Sequence, residues 1–83
     1  MDIEFDPTKD EANVAKHGVS LARATELAGV VVVEDARFEE PRFRLYGTID
    51  GIAHCAAVTM RGNIVRIITL RRAHAKEMRR YGL

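Results

Sequence analysis

Eighty-three residues, 47% of them hydrophobic, with 13 Lys or Arg against 12 Asp or Glu and a net charge of +1, read as one folded domain with room for a single core. The lone Cys55 excludes an internal disulfide and a cysteine-based zinc site, and reads as a small buried residue in a reducing compartment. No apolar stretch approaches the ~20 residues that cross a bilayer, and the acidic first residues do not read as a secretory signal, so a cytoplasmic protein with no membrane partner is expected.

Met1, Ile3 and Phe5 alternate with Asp2 and Glu4, the period of a short half-buried strand. Asp6-Pro7 then opens a helix over residues 7–17: Asp6 can cap free amides, and Pro7 sits where a missing N–H costs nothing. Gly18 stops it. Ser20 caps a second helix, with Leu21, Ala24, Leu27 and Ala28 on one face and Gly29 at its end. The β-branched run 30–33 reads as a strand buried on both faces, and residues 34–41 as a charged loop.

Residues 42–49 alternate, with Phe43, Leu45, Gly47 and Ile49 on one side and Arg42, Arg44, Tyr46 and Thr48 on the other. Asp50-Gly51 is a two-residue hairpin signal. Strand 52–60 returns, turns at Arg61-Gly62-Asn63, and leads into strand 64–70. A last helix covers 72 to 81. The expected fold class is α+β: a short N-terminal strand, two helices, an antiparallel meander of three to four strands and a C-terminal helix.

The near-neutral total hides an asymmetry. Residues 1–40 hold ten acids and four Lys or Arg; residues 41–83 hold two acids and nine. Between Arg61 and Arg80 seven bases accompany a single acid, Glu77. Such a concentrated positive field suits a phosphate-bearing ligand or an acidic partner.

No Gly-rich phosphate loop and no Gly-x-Ser-x-Gly turn is present, and His17, His54 and His74 lack metal-ligand spacing. Chemistry therefore falls to Arg, Lys, His, Tyr and carboxylates. On the last helix Arg71, His74, Met78 and Tyr81 form one stripe, with Arg72, Lys76, Arg79 and Arg80 opposite, either a solvated face or a dock for phosphates or an acidic segment. Arg66 shares a strand face with Ile64, Ile68 and Leu70, where a charge requires a carboxylate or a cleft. Arg44 beside Tyr46 suits a stacked base next to a held phosphate, or is an ordinary polar sheet face. His17 can serve structurally, against the last carbonyls of its helix.

Phe5-Asp6 with Lys9 and Asn13, His17-Gly18-Val19-Ser20 with Ala24, the run 42–47, and Arg66-Ile67-Ile68-Thr69-Leu70-Arg71-Arg72-Ala73 with Glu77 and Tyr81 together resemble the BrnT toxins of bacterial type II toxin–antitoxin modules. The likeness spans nearly the whole chain; Phe5 stands where such toxins often have Trp, and Leu70 where a small residue is usual. It implies a RelE-like fold and a metal-independent endoribonuclease, without cofactor, that arrests translation and growth. It also implies a BrnA-like ribbon-helix-helix antitoxin as partner, with operator DNA bound only through the toxin–antitoxin complex.

RNA supplies its own nucleophile, the ribose 2′-OH, so the protein needs proton carriers and cationic donors. The expected catalytic residues are Arg66, Arg71, His74, His17 and Tyr81. RNA contacts are expected from Arg44, Tyr46 and Arg61, and antitoxin contacts from Arg72, Lys76, Arg79 and Arg80. No metal ligand is expected, and Glu40 and Glu77 stand as bases or as partners of these arginines. The alternative is a non-enzymatic RNA- or protein-binding module on the same scaffold.

Overall fold

In a computed structural model that describes residues 2–83, the chain runs β1 (Ile3–Glu4), α1 (Pro7–His17), a 3₁₀ helix (Leu21–Glu26), β2 (Ala28–Asp35), β3 (Arg42–Ile49), β4 (Ile52–Arg61), β5 (Ile64–Arg72) and α2 (Ala75–Tyr81). Met1, expected to open the first strand, lies outside the described residues. The strands form one mixed sheet in the order β1-β5-β4-β3-β2, with β1 parallel to β5 and every other pair antiparallel. The architecture is α+β.

Local chemistry explains α1. The Asp6 carboxylate accepts from the Thr8 amide at 2.8 Å, Pro7 occupies the first turn, and Gly18 ends the helix at φ +72°. Asn13, buried on this helix, donates to the carbonyls of Val19 (2.9 Å) and Leu70 (2.8 Å) and accepts from the Leu70 amide (3.2 Å). Since β1 pairs with β5 only at Val65 and Arg66, the edge of β5 at Leu70 is open, and the Asn13 carboxamide closes it as a neighbouring strand would.

One face of the sheet holds the core. Leu21 and Ala24 of the 3₁₀ helix and Val19 before it pack with Leu45, Ile49, Ala56, Val58, Ile67 and Leu70. The second helix stops at Glu26 rather than at Gly29, because Leu21, Ala24 and Leu27 recur every third residue, the period of a 3₁₀ turn. Gly29 instead lies within β2, at φ +65°, where the register with β3 shifts between Ala28 and Val31.

Two further expectations change. β2 is an edge strand, not a doubly buried one: among the described residues no strand pairs with its outer side, and Val30, Val31 and Val32 are 44%, 36% and 61% exposed. Val30 and Val32 border an apolar trough with Phe43 and Met60. β5 runs two residues further than expected, so Arg71 and Arg72 stand on a strand, and α2 begins only after His74, its N-cap.

The β4–β5 pairing steps from Val58↔Ile67 to Ala57↔Thr69, which leaves Ile68 as a bulge. A bulge adds one residue and inverts the alternation beyond it. Ile67 and Leu70 therefore both reach the core, and Arg66, Thr69 and Arg71 share the opposite face. Strict alternation placed Arg66 with Leu70; the bulge corrects this.

Candidate functional site

The face opposite the core is organised in cross-strand rows. Tyr46 (β3), Cys55 (β4) and Arg71 (β5) form one; Arg44, Ala57 and Thr69 the next; Arg42, Thr59 and Arg66 a third. Small side chains at Ala57 and Thr69 keep the middle of this surface low, between the arginines.

α2 lies over the first row. Tyr81 stacks on Tyr46 with ring centroids 4.4 Å apart. Glu77 reaches down from the first turn: Oε1 accepts from Arg71 Nη1 at 2.8 Å and from the His74 amide at 2.8 Å, while Oε2 accepts from Arg71 Nη2 at 3.1 Å and from the Tyr46 hydroxyl at 2.6 Å. Arg44 Nη1 donates to the Tyr46 oxygen at 3.2 Å and stands 4.0 Å from Glu77 Oε2. The Arg44 Nε is buried and makes no hydrogen bond within the protein.

Electrostatics fix the protonation states. Hydrogen bonds from Arg71 above all, then from the His74 amide and the Tyr46 hydroxyl, hold Glu77 down to about 2 against the opposing effect of burial. It is a permanent anion at neutral pH, an organiser rather than a proton carrier. Burial, reinforced by the bond to Glu77, pushes the Tyr46 phenol up, so it stays protonated. Burial likewise raises the Cys55 thiol and keeps it un-ionised beside Arg71.

Arg44, Tyr46, Lys76, Glu77, Arg80 and Tyr81 line a cleft of about 370 Å³. Three cations against one carboxylate leave it net positive. Arg71 has five N–H donors; Glu77 takes two and the Arg72 carbonyl one, so donors are left for an incoming anion.

His17, at the C-terminal end of α1, is held below the usual 6.5 by burial first, then by the charges of Lys16 and Arg71. It is unprotonated at neutral pH and can accept a proton. It borders two depressions, one shared with Lys9 and Lys16 and a smaller one shared with His54 and Arg72.

Of the residues expected to act, the structure brings together Arg44, Arg71, Tyr81, Lys76 and Arg80. Arg66 is on the same face but in the third row, 3.3 Å from Glu4, and exposed Arg61 also approaches Glu4, at 3.8 Å. Tyr46, expected to stack on a base, is 0% exposed beneath Tyr81, so it supports the ring that faces the cleft instead of offering its own. His74 is the N-cap of α2, its exposed side chain 3.5 Å from Glu77 Oε1.

The expected basic face of Arg72, Lys76, Arg79 and Arg80 is divided. As a strand residue after Arg71, Arg72 points to the other side of the sheet, toward His17 and His54. Lys76 and Arg80 border the cleft, and Arg79 is exposed outside it. Glu40 pairs with Arg42 at 3.2 Å, apart from the cleft. Sequence reasoning offered Glu77 as a partner of the arginines, and Arg71 pairs with it, but the contact of Glu77 with Tyr46 and the bridging role of Asn13 escaped it, since no local pattern announces them. It also missed Lys9 and Lys16, whose seven-residue spacing on a helix was a usable signal.

The chain is thus a small α+β protein with a cationic cleft beside an aromatic ring, a surface whose charge suits a phosphate-bearing ligand. Residues 5–77 match the family described as "Ribonuclease toxin, BrnT, of type II toxin-antitoxin system", and the chain belongs to that family. A toxin of this type is paired with an antitoxin. The crystal structure of the Brucella abortus ribonuclease toxin, BrnT, has the same fold, with a TM-score of 0.75 at 24% identity over 89% of this chain and 97% of that one. No curated protein matches the sequence.

Proposed function

We propose that the chain is an endoribonuclease that cleaves RNA through the ribose 2′-OH, without a metal ion, on the sheet face beside α2. The observation that carries this reading is the convergence of Arg44 and Arg71 on one carboxylate, Glu77, at the floor of a cleft whose rim adds Lys76 and Arg80. A base stacks on the open side of Tyr81, and the scissile phosphate lies against the free donors of Arg71 and Arg44.

The 2′-oxygen attacks the adjacent phosphorus as its proton passes to neutral His17, which stands outside the cleft, at the edge of β5 beside Thr69, within the field of Arg71. The P–O2′ bond forms, the P–O5′ bond breaks, and the 5′-oxygen leaves with a proton delivered by His74 or by water. The products are a 2′,3′-cyclic phosphate and a 5′-hydroxyl. A positioned proton carrier is worth about 10²–10⁴-fold, and one donor aimed at developing charge about 3–4 kcal/mol. Arg66, two rows from Arg71, and Arg61, one row further out, hold the strand outside the reacting nucleotide.

In the same reading the fold is RelE-like and the antitoxin BrnA-like, with a ribbon-helix-helix domain that contacts operator DNA. An acidic segment of it lies along Lys76, Arg79 and Arg80 and excludes RNA from the cleft. The deciding experiment incubates the purified, antitoxin-free chain with RNA in excess EDTA. Fragments ending in cyclic phosphate are expected, and Arg71→Ala should abolish them while retaining the fold by circular dichroism. RNA that is bound but left intact, with and without magnesium, would establish the binding module instead.

A further inference from the structure

A second depression, of about 240 Å³, opens where α1 runs along the free edge of β5. Lys9, Ala12 and Lys16 line it from the helix, and Ile68 and Thr69 from the strand. Lys9 and Lys16 are two turns apart, about 10 Å along the axis at 1.5 Å per residue, with Ala12 between them on the same side. The floor is apolar and both ends are cationic.

Neither lysine forms an ion pair among the described residues, whereas Arg23, Arg37, Arg42, Arg44, Arg61, Arg66 and Arg71 each stand within 4.0 Å of a carboxylate. Two uncommitted charges flanking an apolar floor fit a ligand that alternates anionic and flat apolar parts. Single-stranded RNA has that form.

Placement supports the same occupant. The Ile68 bulge sets Ile68 at the strand edge, and the next residue, Thr69, belongs to the face that carries Arg71. His17 also borders this depression and feels the charge of Arg71. Thr69 in this depression and Arg71 beside the α2 cleft thus stand on one face of β5, where a single strand can follow both.

We propose that this depression is a second RNA subsite, which takes a nucleotide flanking the scissile one, with its base over Ala12 and Ile68 and its phosphates on Lys9 and Lys16. The inference rests on the RNA-cleaving reading above. Its test is fluorescence anisotropy of a 2′-O-methyl RNA hexamer, which cannot be cleaved, titrated at several KCl concentrations. Two lost phosphate contacts should make the slope of log affinity against log salt shallower by about 1.4 in Lys9→Gln/Lys16→Gln, at about 0.7 per contact on a single strand. An independent variant, Ala12→Glu, should weaken binding at least tenfold at low salt.

Unchanged slope and affinity in both variants, or a wild type with no salt-dependent affinity for the hexamer, overturns the subsite. Wild-type binding with the expected variant losses, but no cleavage of unmodified RNA, supports the subsite and removes the nuclease reading alone.

Discussion

Glu77 grips both terminal nitrogens of Arg71, at 2.8 and 3.1 Å, and in doing so ties the first turn of α2 to the last residues of β5. α2 has no buried residue of its own. This pair, the Tyr46 hydroxyl and the Tyr46–Tyr81 stack are what hold it against the sheet.

That pairing makes stability depend on acid. Glu77 has its folded pKa lowered from 4.5 to about 2, so its contribution is complete above about 4.5 and is lost as pH falls toward 2. The shift corresponds to something on the order of 3 kcal/mol. Asp35, held low by Arg37, titrates in the same range, so the informative comparison is with Glu77→Gln. Urea unfolding should show the variant less stable than wild type at pH 7, with the gap closing by pH 2.5. A gap independent of pH would refute the linkage.

Asn13 gives a second expectation. Asn13→Ala leaves the amide and carbonyl of Leu70 and the carbonyl of Val19 without their partner. Buried backbone groups left unpaired cost about 1–3 kcal/mol each, so a loss of roughly 3 kcal/mol is expected, with a Tm lower by 10 °C or more. Asn13→Asp sets an acceptor oxygen against the Val19 and Leu70 carbonyls and should destabilise at least as much. A thermal melt within 3 °C of wild type for the alanine variant would show that water replaces the side chain.

The pH profile of RNA cleavage is the third. In the proposed reaction His17 takes the proton only when unprotonated, and burial, Lys16 and Arg71 all favour that form. Activity should rise along an acid limb whose midpoint lies below 6.5 and then level. His54 and Arg72 share its other depression. Lys16→Glu replaces a repelling charge with an attracting one and should move the midpoint upward. A limb that stays in place in this variant would assign the proton to another group.

Much of the frame was legible in the residues. Asp6-Pro7 and Gly18 bounded α1 because caps are local chemistry, and Asp50-Gly51 supplied the two positive φ angles of a tight hairpin. Alternation in 42–49 gave the two faces of β3 correctly. What escaped depends on distant neighbours. The run 30–33 looks the same whether a sheet continues past it or ends there, so its exposure could not be read from valines alone. The Ile68 bulge has no sequence mark, yet it decides which face receives Arg66 and Arg71. Glu77 was read as a base or as a partner of the arginines, but which arginine it holds, and that Tyr46 joins it, waited on the fold.

The outermost strand has one more effect. Residues 28–34 contain no lysine or proline to blunt them, and their outer N–H and C=O groups form a ready template for another extended chain. The purified chain is therefore expected to be adhesive along this edge. Dilute handling follows directly from three valines on a rim.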